Sequence, residues 1–325
     1  MTASLRTVLS RAIDYAGIYP PARLPLAEAA AEYARLRDEP AAWMLARFVC
    51  PATAVAELAA TWPADDDRPL VVAAIGTSGE STEELRSRTE EDLAAIAAAC
   101  AGSRRVIVDQ FEVKLPPALL ADGDASAVAA AVAGLLDMLS RGLPPSSLLA
   151  VEAPVAGAPA AFVRTAIAGI AALNRAAAGA GRTPVALKVR CGGPVAAAIP
   201  TLGELAAVLA ACRAHGVAIK ATQGLHHPFR RRDHGLGADT HGFLNLMAAA
   251  ALAGTAGSGP EEIAEVLGDA DPGRFRFAEE TLTWGTHRLT IADLAAGRRH
   301  GVLSFGSCSF AEPRDDLAAL HLLER

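Results

Sequence analysis

Only three of the 30 basic residues in this 325-residue chain are lysines: Lys114, Lys188 and Lys220. Arginine serves wherever a surface cation is enough. A lysine can do one thing arginine cannot, which is to shed its proton and act as an amine nucleophile. Each lysine sits in a short apolar run that reads as a β-strand, and strand side chains alternate between two faces. In Val185–Cys191, Leu187 and Val189 take one face, so Lys188 and Arg190 share the other with Ala186. In Val217–Thr222, Lys220 and Thr222 lie opposite Val217, Ile219 and Ala221. By the same rule Glu112 and Lys114 lie opposite Val113, and Glu152 lies opposite Val151. If the apolar faces turn toward covering helices, three lysines, Arg190 and two glutamates converge at one mouth. Buried charges demand partners. A salt-bridge network between strands is one reading, and a pocket that tunes an amine or binds an anion is the other. An adjacent cation such as Lys220 is expected to lower the proton affinity of Lys188 and free its amine. Glu112 or Glu152 would then move the protons.

Eight runs qualify as strands: Ala12–Ile18, Leu45–Cys50, Leu70–Ile75, Arg105–Leu115, Leu148–Pro154, Val185–Cys191, Val217–Thr222 and Gly301–Phe305. The segments Ala52–Thr61, Ser81–Cys100, Ala125–Arg141, Ala158–Ala178 and Leu202–His215 between them carry apolar residues at helical spacing. Strands alternating with helices imply a parallel sheet, and eight repeats favour closure into a (β/α)8 TIM-type barrel. Residues 1–325 are expected to form one barrel domain. Two additions are expected: an N-terminal helical addition, formed by an extra amphipathic helix over residues 22–44, and a long insertion between strands seven and eight. The insertion holds a helix, Phe243–Ala253, with Thr240 as its expected cap, and a hairpin over residues 274–290.

The two lysine strands, LKVRCGG (187–193) and IKATQG (219–224), resemble those of deoxyribose-phosphate aldolase, a class I aldolase barrel. The resemblance covers about 40 residues; the stretch after IKATQG departs from that family's pattern. It implies Lys188 as the Schiff-base residue and Lys220 as its neighbouring cation. The family's acidic helper has no motif match here, so Glu112 is a candidate by position only.

Three further loops hold reactive side chains. Residues 225–242 carry His226, His227, His234 and His241 with three consecutive arginines. This loop is expected to cover the mouth, with Arg230 and a histidine facing a substrate anion. Zinc on these histidines, with Glu152 or Cys191 completing the site, is the lesser reading, because the spacing fits no common zinc signature and adjacent histidines often point apart; no metal is expected. In SFGSCSF (304–310), Gly306, Ser307 and Ser309 suit a backbone nest for an anion. GTSGES (76–81) offers a similar turn or a helix cap. Cys191 at the mouth is a second conceivable nucleophile.

The bulk properties exclude several classes. A net charge of −6 gives no pull toward nucleic acid. No run of about 18 strongly apolar residues is expected to span a membrane. The N-terminus has no secretory pattern, and five irregularly spaced cysteines argue against a disulfide framework. A cytoplasmic protein is expected, forming a homo-oligomer in one reading, with a small anionic molecule as its partner and no cofactor. The leading expectation is a Schiff-base lyase acting on a sugar phosphate or keto acid. The alternatives are an isomerase or transferase barrel that binds phosphate or carboxylate without an imine, then a metal-dependent hydrolase, and a non-catalytic anion-binding barrel.

Overall fold

Eight parallel strands close into a barrel in the computed structural model, which describes residues 1–63, 66–102, 105–178, 183–255 and 258–323. The first seven barrel strands are β1 (Ile13–Tyr15), β2 (Leu45–Pro51), β3 (Leu70–Ile75), β4 (Val106–Lys114), β5 (Leu148–Glu152), β6 (Ala186–Arg190) and β7 (Ile219–Thr222). The insertion contributes β8 (Arg231–Asp233), β9 (Ala238–Thr240), β10 (Phe275–Phe277), β11 (Thr281–Trp284) and β12 (His287–Thr290). The last barrel strand, β13 (Val302–Ser307), pairs with both β7 and β1 and closes the ring.

The outward faces of the strands are apolar because helices cover them. Leu149, Val151, Leu187, Val189, Ile219 and Ala221 are all buried. The covering helices are set by local signals. Asp124 accepts hydrogen bonds from the backbone N–H groups of Ser126 and Ala127 and starts Ala125–Gly142. Thr201 and Glu204 form a reciprocal capping box that starts Leu202–His215, and Gly216 ends it with φ +67°. Two segments, Ala125–Gly142 and Ala196–His215, do reach the length and apolarity of a membrane span, contrary to expectation. Each connects two parallel barrel strands, and its apolar side lies on the sheet. Val128, Val132, Leu135 and Leu139 of the first are buried there.

Several expectations about the additions need correction. Ala42–Met44 is a separate 3-10 turn, and the helix expected over residues 22–44 is shorter, Leu26–Leu36. It connects β1 to β2, so it is the first regular barrel helix and not an extra one. The true N-terminal addition is the helix Ala3–Leu9, with Leu5, Val8 and Leu9 buried. Strand β1 is shorter than Ala12–Ile18, and β13 runs two residues beyond Phe305. Residues 274–290 form three antiparallel strands, β10 to β12, not a single hairpin. The helix Phe243–Leu252 is buried along its whole length and stacks Phe243 on Phe305 of β13 at 4.9 Å. Its cap is Gly242; Thr240 instead pairs within the β8–β9 hairpin, donating to the Arg231 carbonyl.

Candidate active site

Lys188 and Lys220 are adjacent in the β6–β7 register, and both point into the barrel. They are 5% and 1% exposed, and Glu112 and Glu152 are 1% and 4% exposed. The Lys188 Nζ lies 2.8 Å from Glu112 Oε2 and 3.0 Å from Glu152 Oε2. Lys220 is ion-paired with Asp14 of β1, and its Nζ is 3.9 Å from Glu112 Oε1. Arg190 Nε donates to Glu152 Oε1 at 2.7 Å and its Nη1 to Gln223 Oε1 at 3.3 Å. Toward the amino ends of the strands, Arg47 of β2 lies 3.6 Å from Asp14 Oδ1 and grips Asp109 through two bonds of 2.6 and 3.0 Å. The result is one alternating row: Asp109, Arg47, Asp14, Lys220, Glu112, Lys188, Glu152, Arg190. Its charges cancel, which is why they survive burial.

Neutral donors orient the row. Gln110 Nε2 donates to Glu112 Oε1 at 2.7 Å, and Ser304 Oγ donates to Asp14 Oδ2 at 2.6 Å. The register of β4 shifts between Val108 and Gln110, leaving Asp109 as an extra residue. That bulge lets Asp109 reach Arg47 while Gln110 and Glu112 keep the inward phase.

The expected effect of Lys220 on Lys188 is corrected by these pairings. Burial alone would weaken the hold of Lys188 on its proton, but the carboxylates of Glu112 and Glu152 outweigh it and push its pKa up. Burial pulls the other way on the acids. For Glu112 it is outweighed by Lys188 and Lys220, and for Glu152 by Lys188 and Arg190, so both carboxyls stay below their ordinary range. Asp14 is likewise held low against burial by Lys220 and Arg47. Lys188 therefore rests as an ammonium. Lys220 does not act as a bare neighbouring cation, because Asp14 neutralises it.

Lys114 is also corrected. It keeps the inward phase, directly opposite Glu152 in register, but it is exposed at the end of β4 and makes no ion pair among the described residues. Lys188 and Arg190 already occupy the Glu152 carboxylate, so nothing draws Lys114 inside.

The glycines of the two lysine motifs have a packing role. A Cβ on Gly192 would stand 2.8 Å from Gly224 Cα, and Gly224 has φ +72°. The loops after β6 and β7 therefore touch backbone to backbone above the lysines. Gly306 of β13 faces the same interior, where a Cβ would stand 3.1 Å from Thr222 Oγ1 and 4.0 Å from Lys220 Nζ. Ser307 and Ser309 do not form a free nest. Ser307 Oγ donates to the Ser309 carbonyl at 2.6 Å, and Ser309 Oγ accepts from the Glu312 N–H at 3.1 Å.

The loop 225–242 lies at the carboxyl end of the barrel, but its side chains are tied sideways. Arg230 Nη2 pairs with Asp239 at 3.2 Å within its own hairpin, which corrects its expected role as an anion clamp. His241 Nε2 is 2.8 Å from the Pro200 carbonyl. His226 and His227 turn to Glu312 and Asp316 on the final helix, Ala311–Ala319, at 3.2 and 2.6 Å. Cys191 is buried, and burial pushes its thiol up to about 12, which leaves it a protonated thiol at neutral pH.

Several members of the row went unrecognised in the sequence. Asp14 was signalled by an acid between Ile13 and Tyr15 in an apolar strand. Gln110 and Ser304 were signalled only by inward phase, and Arg47 by a cation within a strand otherwise apolar. Tyr19, on the loop after β1, also lies close to the row: burial pushes its phenol up, and the Glu112 carboxylate adds to that push.

No protein-family model and no curated protein matches the sequence. Solved structures do resemble it in fold. One, described as "QR15, an Aldolase", shares 11% identity, with 97% of this chain and 99% of that chain covered and a TM-score of 0.52. Another is the tetrameric deoxyribose phosphate aldolase from Aeropyrum pernix, at 10% identity, 98% and 97% coverage and a TM-score of 0.50. The resemblance expected from the lysine strands thus extends to the whole barrel, as a likeness of fold.

Proposed function

We propose that this chain is a class I lyase that forms an imine between Lys188 and a small anionic carbonyl compound, such as a sugar phosphate or keto acid. The observation that carries the reading is the Lys188 ammonium held between Glu112 and Glu152 at 2.8 and 3.0 Å inside the barrel. Either carboxylate is close enough to take the ammonium proton as a carbonyl approaches. The amine adds to the carbonyl carbon, and the carbinolamine loses water to give an iminium. A carboxylate takes the β-hydroxyl proton as the C–C bond breaks, and the electron pair of that bond passes to the iminium. The carbonyl fragment leaves, the resulting enamine is reprotonated on carbon, and water hydrolyses the iminium so formed to free Lys188. Glu112 and Glu152 carry these protons, and Gln110 and Arg190 fix their orientation. Lys220, paired with Asp14, has its Nζ 3.9 Å from Glu112 Oε1 and so positions that carboxylate.

The substrate's anionic group is assigned to the mouth, where Arg190 is half exposed and Lys114 makes no ion pair among the described residues. Thr222 and Gly306 line the space between the mouth and Lys220. The fold likeness to aldolases supports a lyase, and the tetramer named for one of those structures supports self-association of this chain. Five free cysteines are consistent with a cytoplasmic location.

Turnover tests the reading. Retro-aldol cleavage is followed with a panel of small hydroxy-carbonyl phosphates and acids. Lys188→Arg keeps the charge between the two glutamates but offers no usable amine. It should abolish cleavage and leave the unfolding temperature nearly unchanged. A Lys188→Arg protein with full activity would leave the imine-free reading, in which Arg190 and Lys114 merely bind the anion.

A further inference from the structure

The loop after β7 and the loop after β13 meet in a cluster the imine chemistry does not use. His226 Nδ1 lies 3.7 Å from Cys308 Sγ and 3.2 Å from Glu312 Oε2. All three donor atoms fall within 4.8 Å of one another. We propose that His226, Cys308 and Glu312 form a divalent-metal site, selective for zinc, with its fourth position open at the carboxyl end of the barrel.

The geometry and the donor set both point there. Tetrahedral zinc with nitrogen, oxygen and sulfur bonds of about 2.0, 2.1 and 2.3 Å has N···S and N···O edges of roughly 3.6 and 3.3 Å. The structure shows 3.7 and 3.2 Å for those edges. The remaining S···O edge closes by rotation of Glu312, whose side chain is 48% exposed. An imidazole, a thiolate and a carboxylate together suit zinc better than a hard ion such as magnesium or calcium. The histidine roles separate cleanly. His226 turns toward Cys308 and Glu312, whereas the Nδ1 of the neighbouring His227 is engaged by Asp316 at 2.6 Å.

The chemistry balances simply. Burial holds the Cys308 thiol above its ordinary pKa, so it is protonated before the metal arrives. On binding, the thiol proton leaves to solvent and the thiolate takes the metal. Three protein ligands leave one coordination position for water or a ligand oxygen. The ion would also clamp the loop after β7 to the first turn of the final helix.

The test uses the full chain loaded with zinc, dialysed into metal-free buffer and assayed by elemental mass spectrometry. Cobalt(II) serves as a spectroscopic probe in parallel. The wild type should retain about one zinc per chain, as a three-ligand protein site does. Cys308→Ser and His226→Ala should each lose most of it, and Cys308→Ser should remove the thiolate-to-cobalt charge-transfer band. His227→Ala should retain the metal. Circular dichroism checks that each variant is folded. A wild type that holds no zinc, a cobalt thiolate band that survives Cys308→Ser, or equal losses in His226→Ala and His227→Ala would overturn the proposal.

Discussion

The Asp14–Lys220 pair offers the sharpest test of the buried charge row. Both side chains are sealed from solvent, at 0% and 1% exposure. Lys220→Met leaves the Asp14 carboxylate with Ser304 and with Arg47 at 3.6 Å, and Arg47 is already engaged by Asp109. Asp14→Asn leaves the Lys220 ammonium facing Glu112 at 3.9 Å, a carboxylate that Lys188 already holds. At an effective permittivity near 20, two charges about 4 Å apart attract by about 4 kcal/mol. Removing one partner of a buried pair costs about 3–5 kcal/mol, because the survivor is stranded. Each single substitution should therefore destabilise by about that much. In the Asp14→Asn/Lys220→Met double variant no charge is stranded, since Arg47 keeps Asp109 and Glu112 keeps Lys188. It should cost no more than either single substitution, giving a coupling of about 3–5 kcal/mol. Urea unfolding followed by far-UV circular dichroism and tryptophan fluorescence supplies the four midpoints and slopes of the cycle. Simple additivity, with a coupling below about 1 kcal/mol, would refute the buried pair and the charge row built on it.

Three other outcomes follow from the same geometry. Stability should stay level across neutral pH and fall on both sides. The carboxyls of Asp14, Glu112 and Glu152 are depressed on folding, so their contribution is present above their ordinary values of 3.8 to 4.5 and is lost as pH drops through the lower folded values. Lys188 is raised, so its contribution holds below its ordinary value of 10.5 and is lost as pH climbs through the higher folded value; melting temperatures across pH 2–12 would show both limbs. Glu152→Gln should slow turnover by about 10²–10⁴ if it moves protons, and should shift imine formation to lower pH, because Lys188 loses one of the two carboxylates holding its proton. Gly192→Ala should destabilise by roughly 1–3 kcal/mol in a thermal melt, since the new methyl meets the Gly224 backbone at 2.8 Å and backbone cannot swing aside.

The sequence was most legible where one rule acts locally. Alternation along a strand placed Lys188, Lys220, Glu112 and Glu152 on the inner face, because the outer face of every barrel strand is apolar and helix-covered. Seven of the eight strands carry that signal over four or more residues. The exception, β1, has only three residues, and Asp14 lies there, so a short strand hid a central charge. Lys114 shows the limit of alternation: phase gives the side of a strand, but burial at its end depends on which partners remain free. The lid residues show a different limit. Arg230 pairs with Asp239 nine residues on, and His226 with Glu312 from another element, so their roles are decided by tertiary neighbours that periodicity does not encode. The raised pKa of Lys188 is of the same kind, since it depends on two carboxylates from β4 and β5 arriving within 3.0 Å.

The central claim is that Lys188 forms an imine. The most direct test is borohydride reduction in the presence of glycolaldehyde, pyruvate or glyceraldehyde 3-phosphate, read by intact mass and then by peptide mapping. A reducible ligand should add the mass of one reduced adduct per chain, on the peptide containing Lys188, and Lys188→Arg should show none. No adduct with any probe, or an adduct of equal yield in Lys188→Arg, would contradict the claim; an adduct mapped to Lys220 would keep the chemistry and move the nucleophile to the neighbouring strand.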